Sequence, residues 1–331
     1  MNRFTYLSSG ERSEIEILKK KGYSMRAIAR VLERSPNTIS LELKRMPSGY
    51  KAKVAKIYAR TKLKYRRLQW SKIESIPEMK TYIIESLKKH WNPDEISGRM
   101  KKEKKSWYVS KSAIYGWLET SRGERYKKYL YGYRPGTRHK KKDGLHGQIL
   151  HMTPIESRSV GVEHRTRYKH WESDLVVSVI SGTGGLSTSI ERKSRYLHAL
   201  KVSNLTSLEK QKTLIRLVQE FSVRSITFDR GHENAKHNEL GIPTYFCNAY
   251  HSWEKGGVEN ANKMIRYFFP KKTDFNSVSQ EEVDRIVSII NNKPRKILGY
   301  MTASEVALAS GVINRGVLVQ GLIYYNFITL S

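Results

Sequence analysis

Residues 171–180 read WESDLVVSVI, and how they are read decides the fold. The run is short, apolar and rich in valine, with no capping residue before it, which predicts a largely buried strand and not a helix. SGTGG (181–185) follows as a turn, LSTSIER (186–192) as a second strand and KSRYLHALKV (193–202) as a third. The period then changes. LTSLEKQKTLIRLVQEF (205–221) has its apolar residues at helical spacing, with Leu214, Leu217, Val218 and Phe221 inward. SITFD (225–229) is a short buried strand that ends at Asp229. After a brief irregular or helical piece, PTYFC (243–247) is a fifth strand, and a helix begins at about 257. Three antiparallel strands followed by helix, strand, helix, strand, helix predict an α/β core with a mixed five-stranded sheet. In such a sheet the fourth strand lies beside the first.

Carboxylates fall at particular places in that layout. Asp174 lies on the first strand and Asp229 ends the fourth, so the two are expected to be neighbours. The helix after the fifth strand can bring a third acid over the ends of both. That helix lies in HSWEKGGVENANKMI (251–265), where Val258, Ala261, Ile265 and Phe268 form a buried stripe. Glu259, Asn262 and Arg266 line an adjacent face. Gly256 and Gly257 disfavour a continuous helix, so Glu254 is expected to precede it as an exposed charge. Glu233 sits in a loop and ranks below Glu259. Three clustered carboxylates are costly without a cation; with two hard divalent ions about 3.5–4 Å apart they form an arrangement that cleaves phosphodiesters. Glu172 shares a strand face with Asp174, and both a supporting role at a metal and an ion pair with its basic surroundings remain open. Lys255, Lys263 and Arg266 read as phosphate contacts, Cys247 as a core thiol, and Trp253 as either core or a stacking surface.

The partner is legible in the charge. Lys and Arg number 61 against 31 Asp and Glu, a net charge of +30. Residues 1–150 hold 37 basic and 14 acidic residues, and the remainder 24 and 17. The first half is therefore a binding region for a polyanion, nucleic acid above all, and the second an ordinary globular domain. GERSEIEILKKKGYSMRAIARVLERSPNTISLELKRM (10–46) breaks into three short helices. Ile15 and Leu18 face inward on the first, Ile28, Val31 and Leu32 on the second, and Ile39 and Leu43 on the third. Ser24 and Ser35 cap the second and third, with Pro36 in the third helix's first turn. This is a helix-turn-helix, whose recognition helix places Asn37, Thr38 and Ser40 near base edges. Arg26, Arg30, Lys44 and Arg45 then face phosphate.

A second helix-turn-helix-like pattern covers 91–120. NPDEISGRM opens on Asn92 and Pro93, a basic loop follows, and SKSAIYGWLE offers Lys111 and Ser112 to DNA. Residues 121–165 form a basic linker that includes Lys140, Lys141 and Lys142 and is suited to tracking a phosphate backbone. The expected division is a helix-turn-helix domain at 1–48, a helical spacer at 49–90, the second such domain at 91–120, the linker at 121–165, the α/β core at 166–275 and a C-terminal helical segment and tail at 276–331. One cysteine excludes a disulfide framework, and no Cys/His spacing for structural zinc exists. No secretory signal opens the chain, and the apolar run at 316–330 is interrupted by Gln320 and Asn326, so no membrane partner is expected. A reducing, cytoplasmic setting at the nucleoid follows from these points together.

HWESDL (170–175), IERKSRY (190–196), TFDRGHE (227–233), the block at 245–275 and NNKPRKILGY (291–300) strongly resemble the IS-thirty family of bacterial insertion-sequence transposases. The resemblance extends from the helix-turn-helix to about residue 306. It implies a core like that of ribonuclease H and retroviral integrases, and a DDE transposase that cuts and joins element ends. Two Mg2+ ions, replaceable by Mn2+, would be held by Asp174, Asp229 and Glu259. His170 and Trp171 match residues just before the family's first aspartate, and with Glu172 and Asn262 are expected to support the site. Double-stranded DNA, both element ends and target, is the implied partner of a homodimer or higher oligomer. Only 29 residues separate Asp229 from Glu259, fewer than the family pattern, with the deficit near KHNELGI (236–242). A decayed copy that binds DNA as a regulator without cleaving it is the alternative.

Overall fold

The computed structural model describes residues 6–44, 46, 49–69, 72–132, 149–178, 184–248 and 251–317. Arg45, Lys140, Lys141, Lys142, the turn at 181–183, the Trp253 side chain and the tail from 318 lie outside them. The chain divides into two compact units, residues 1–77 with 116–125, and 78–115 with 126–331.

The first unit is built on three capped helices, α1 (Ser9–Lys20), α2 (Met25–Val31) and α3 (Pro36–Leu43). Ser8 and Glu11 form a reciprocal capping box on α1, Ser24 accepts from the Ala27 amide, and Ser35 accepts from the Asn37 amide, with Pro36 at the start of α3. Each cap satisfies donors that the first turn leaves open, which is why three such short helices hold. Ile15, Ile28 and Ile39 meet as a fully buried centre, with Leu18, Leu32 and Leu43 packed around it. Val31 is 58% exposed and Ala29 takes its expected place inside. Its small side chain suits the close contact of α2 with α3. Arg12 and Glu42, both buried, pair at 2.7 Å and tie α1 to α3. Helix α4 (Ala52–Gln69) packs on α1 and is followed by the single turn α5 (Lys72–Ser75).

Helices α6 (Pro77–Lys88), α7 (Pro93–Lys102) and α8 (Lys111–Leu118) follow, then a turn of helix α9 (Val160–Glu163). The second unit is centred on a five-stranded sheet of β1 (His170–Val177), β2 (Gly185–Glu191), β3 (Leu197–Val202), β4 (Ser225–Phe228) and β5 (Thr244–Phe246). The order is β3-β2-β1-β4-β5, with β1–β2–β3 antiparallel and β4 parallel to both β1 and β5. This is the mixed five-stranded sheet expected from the sequence, with the first and fourth strands adjacent. The order and pairing are those of a ribonuclease-H-like core.

Helix α10 (Ser207–Glu220) enters between β3 and β4 and buries Leu214 and Leu217 against Trp171, Ile226 and Phe228. On the other face lie α11 (Gly256–Phe268) and α12 (Gln280–Asn291), packed over Val176, Leu186, Ile190 and Leu197. The shortened stretch between β4 and β5 folds as two 3-10 turns, His232–Asn234 and His237–Leu240, ended by Gly241 at φ 66°. A small hairpin, β6 (Pro294–Arg295) and β7 (Met301–Thr302), leads into α13 (Ala303–Ala309).

The NPDEISGRM helix, α7, packs against that hairpin within the same unit. Arg99 makes a forked pair with Glu305 at 2.6 and 2.8 Å and also donates to the Tyr300 carbonyl. Lys293 pairs with Glu95 at 3.2 Å. A Cβ at Gly98 would fall 2.1 Å from the Tyr300 ring, so only glycine allows this contact. Among the described residues no helix is long and apolar enough to cross a membrane.

Candidate active site

Strand β1 sorts its residues by alternation. Trp171 and Ser173 face α10, while Glu172 and Asp174 face α11. Asp174 thus lies on the α11 side, and Asp229 follows directly from the end of the parallel neighbour β4. The two carboxylates converge on one cation. The Lys255 ammonium sits 3.3 Å from Asp174 Oδ1 and 2.9 Å from Asp229 Oδ2, with its side chain only 6% exposed. Burial pulls the lysine pKa down, but the two aspartates outweigh it and hold it above the ordinary lysine range. Burial likewise works against the Asp229 carboxylate, yet Lys255 keeps its pKa below the usual value. The sequence reading of Lys255 as a surface phosphate contact therefore does not hold, because the lysine side chain turns inward between the aspartates.

Each aspartate is oriented by an asparagine. Asn262 Nδ2 donates to Asp174 Oδ2 at 2.7 Å, while its Oδ1 accepts from Thr188 at 2.8 Å. Asn234 Nδ2 donates to Asp229 Oδ1 at 3.0 Å, and the Gly231 amide donates to the same oxygen at 3.2 Å. Asn262 was legible as a residue on the Glu259 face. Asn234 was not, although it stands one position past the TFDRGHE motif. Glu233 is near enough to both aspartates for burial, then their like charge, to raise its pKa.

Glu259 lies one turn beyond Lys255 on α11, half-buried, and has no hydrogen-bond or ion-pair partner among the described residues. No group of three or more His, Cys, Asp or Glu side chains among those residues is gathered as a metal site. The donor set nevertheless fits a hard divalent cation at two of three positions. Asp174 and Asp229 offer carboxylate oxygens to a shared point that already attracts a positive charge.

Glu172 resolves the alternatives left open by the sequence. It is fully buried and pairs with Arg192 at 2.6 Å, and its other oxygen accepts from the Val258 amide at 3.0 Å. Its carboxylate therefore fixes the N-terminus of α11, where a negative group complements the open amides and the helix dipole. A Cβ at Gly257 would fall 2.5 Å from Glu172 Oε2, so this glycine permits a close approach. The expected helix-breaking pair is instead the first turn of α11, which begins at Gly256. Glu254 is likewise not an exposed charge. Its side chain is 16% exposed, accepts from the Asn248 amide at 2.8 Å and lies 3.2 Å from His251 Nδ1.

Beneath β1, Lys210 reaches from α10 and donates to Ser173 Oγ and the Asp174 carbonyl, each at 2.8 Å, and to Ser187 Oγ at 3.1 Å. Burial pulls its pKa to about 8. His170 is buried and bonded to Ser225 at 2.7 Å, and burial with nearby arginines lowers its pKa to about 4. Trp171 is core, packed against Phe221, because alternation turns it away from Asp174. Cys247 is a buried thiol whose pKa burial raises to about 12. Arg266 donates to the Val177 and Pro270 carbonyls, and Lys263 is exposed. In the first unit Arg26, Arg30, Asn37 and Lys44 are exposed, and Thr38 and Ser40 are half-buried on α3. Lys111 and Ser112 are exposed at the start of α8.

A helix-turn-helix in one unit and a ribonuclease-H-like sheet carrying paired aspartates in the other define a class, proteins that recognise DNA and act on its phosphodiester backbone. A family model described as a helix-turn-helix domain matches residues 3–46. The transposase InsI of insertion sequence element IS30C from Escherichia coli K12 is 33% identical over 94% of this chain and 84% of its own length. The transposase of IS4351 from Bacteroides fragilis is 31% identical over 91% of this chain and 94% of its own. That of IS1086 from Cupriavidus metallidurans is 31% identical over 92% and 94%. Among solved structures, the catalytic core domain of BIV integrase aligns with 43% of this chain and 95% of its own at a TM-score of 0.34 and 20% identity. The chain belongs to the IS-thirty family of insertion-sequence transposases.

Proposed function

We propose that the protein is a DNA transposase that binds the terminal inverted repeats of its element and carries out Mg2+-dependent strand cleavage and strand transfer. The observation that carries this reading is the convergence of Asp174 and Asp229, from adjacent parallel strands, on a single cation position in a chain of this family. Asp174, Asp229 and Glu259 would hold the metal ions. When bound, paired divalent ions activate an attacking water or 3′-hydroxyl and neutralise charge on the leaving oxygen. The protein's own work is positioning. Asn262 and Asn234 aim the two aspartates, Glu172 fixes the start of α11 and so the position of Glu259, and Lys210 braces β1 from behind.

In the first unit, the exposed residues of α3, Asn37 above all, would read base edges, while Arg26, Arg30 and Lys44 neutralise phosphates. Cleavage followed by joining requires two DNA ends in one assembly, so the active species would be a dimer or larger. The test is labelled terminal-repeat DNA incubated with the protein and Mg2+. Wild type is expected to nick and transfer strands, and Asp174→Asn, Asp229→Asn or Glu259→Gln to lose about a hundredfold or more in rate, since each removes several kcal/mol of charge stabilisation. An Asp174→Asn protein that cuts as well as wild type would show the assigned site to be wrong.

A further inference from the structure

Lys255 is a buried cation at the meeting point of two carboxylates. It closes the 3-10 turn Ser252–Lys255, immediately before α11, and its ammonium is buried where the two aspartates meet. An ammonium removed from water is costly unless paired, and two neighbouring carboxylates repel unless a cation lies between them. The three groups satisfy one another. The same point is where a divalent cation shared by Asp174 and Asp229 would have to sit, and a second positive charge there would be strongly repelled at such short range.

We propose that Lys255 is a built-in counter-cation, which holds Asp174 and Asp229 together in the metal-free protein and must withdraw for a divalent ion to load between them. The inference rests on the reading of these aspartates as metal ligands. A DNA phosphate arriving at the site offers the displaced ammonium a new anionic partner. Loading is therefore a competition: the observed affinity for metal is the intrinsic affinity reduced by the fraction of molecules in which Lys255 has already moved.

The test measures binding of Mn2+ alone to the full-length protein without DNA, by calorimetry, beside thermal unfolding of the metal-free protein. Lys255→Met is expected to bind Mn2+ about tenfold more tightly than wild type, and to unfold at a lower temperature when metal is absent. Lys255→Arg keeps a cation in place and should bind Mn2+ close to wild type. If Lys255→Met does not fold, Lys255→Gln reads the same competition. Unchanged or weaker Mn2+ binding by the neutral variant, with binding abolished in Asp174→Asn, overturns the counter-cation proposal and leaves the aspartate site standing. Wild-type Mn2+ binding by Asp174→Asn overturns the site itself.

Discussion

The two units treat charge in opposite ways. Among the described residues the helix-turn-helix keeps Arg26, Arg30 and Lys44 exposed and buries the Arg12–Glu42 staple. The catalytic unit does the reverse around its site, where Glu172, Glu191, Arg192, Lys210 and Lys255 are all nearly inaccessible. Charge on a surface binds a polyanion with little demand on geometry. Charge under a sheet is expensive and persists only when every partner is placed, so it fixes the positions of the aspartates and of α11.

That contrast can be broken most severely at Glu172. Glu172→Ala leaves Arg192 buried without its carboxylate and frees the Val258 amide, a loss of about 3–5 kcal/mol. Chemical denaturation measures it, and pairing the change with Arg192→Met should recover much of the loss. Next comes Gly257→Ala, where the added methyl meets the Glu172 carboxylate. We expect about 1–3 kcal/mol of overpacking, together with reduced cleavage, because α11 must shift. In the first unit Arg12→Met should cost less than Glu172→Ala, about 2 kcal/mol, since Glu42 keeps the Tyr50 hydroxyl at 3.2 Å. Smallest for stability is Lys44→Ala, within about 0.5 kcal/mol of wild type. Its effect belongs to binding, where the salt dependence of DNA affinity should fall by about one unit of slope. A stability loss at Lys44 rivalling that at Glu172 would erase the comparison.

The same contrast decides what the sequence made legible. Serine caps, the proline at the start of α3 and isoleucines at helical spacing are local signals, and the helix-turn-helix follows from them. The strand order of the core, and hence the nearness of Asp174 and Asp229, also follows, because alternation and connection rules leave few arrangements. The roles of Lys255, Glu254 and Asn234 did not follow, and for Glu172 the ion pair was only one of two readings. Each depends on a partner distant in sequence or on the turn a loop takes, and a charged residue looks the same in a string of letters whether it meets water or a buried amide. Val31 and Trp171 failed for other reasons: helical spacing gives a stripe whose edge one residue can miss, and Trp171 was placed by resemblance although alternation along β1 sets it on the face opposite Asp174.

The docking of α7 on the hairpin of 294–302 bears on how the catalytic unit can be isolated or exchanged. Its boundary is not a point in the chain, since residues 78–115 belong to it although a long basic stretch separates them from β1. A fragment begun after that stretch would strip the covering from Tyr300 and leave Lys293 and Glu305 without Glu95 and Arg99. The first half of the segment most easily taken for a second DNA reader is thus also a wall of the catalytic unit, and a single cut near residue 77 would part residues 116–125 from the unit they belong to, where Trp117 and Arg122 hold Glu74.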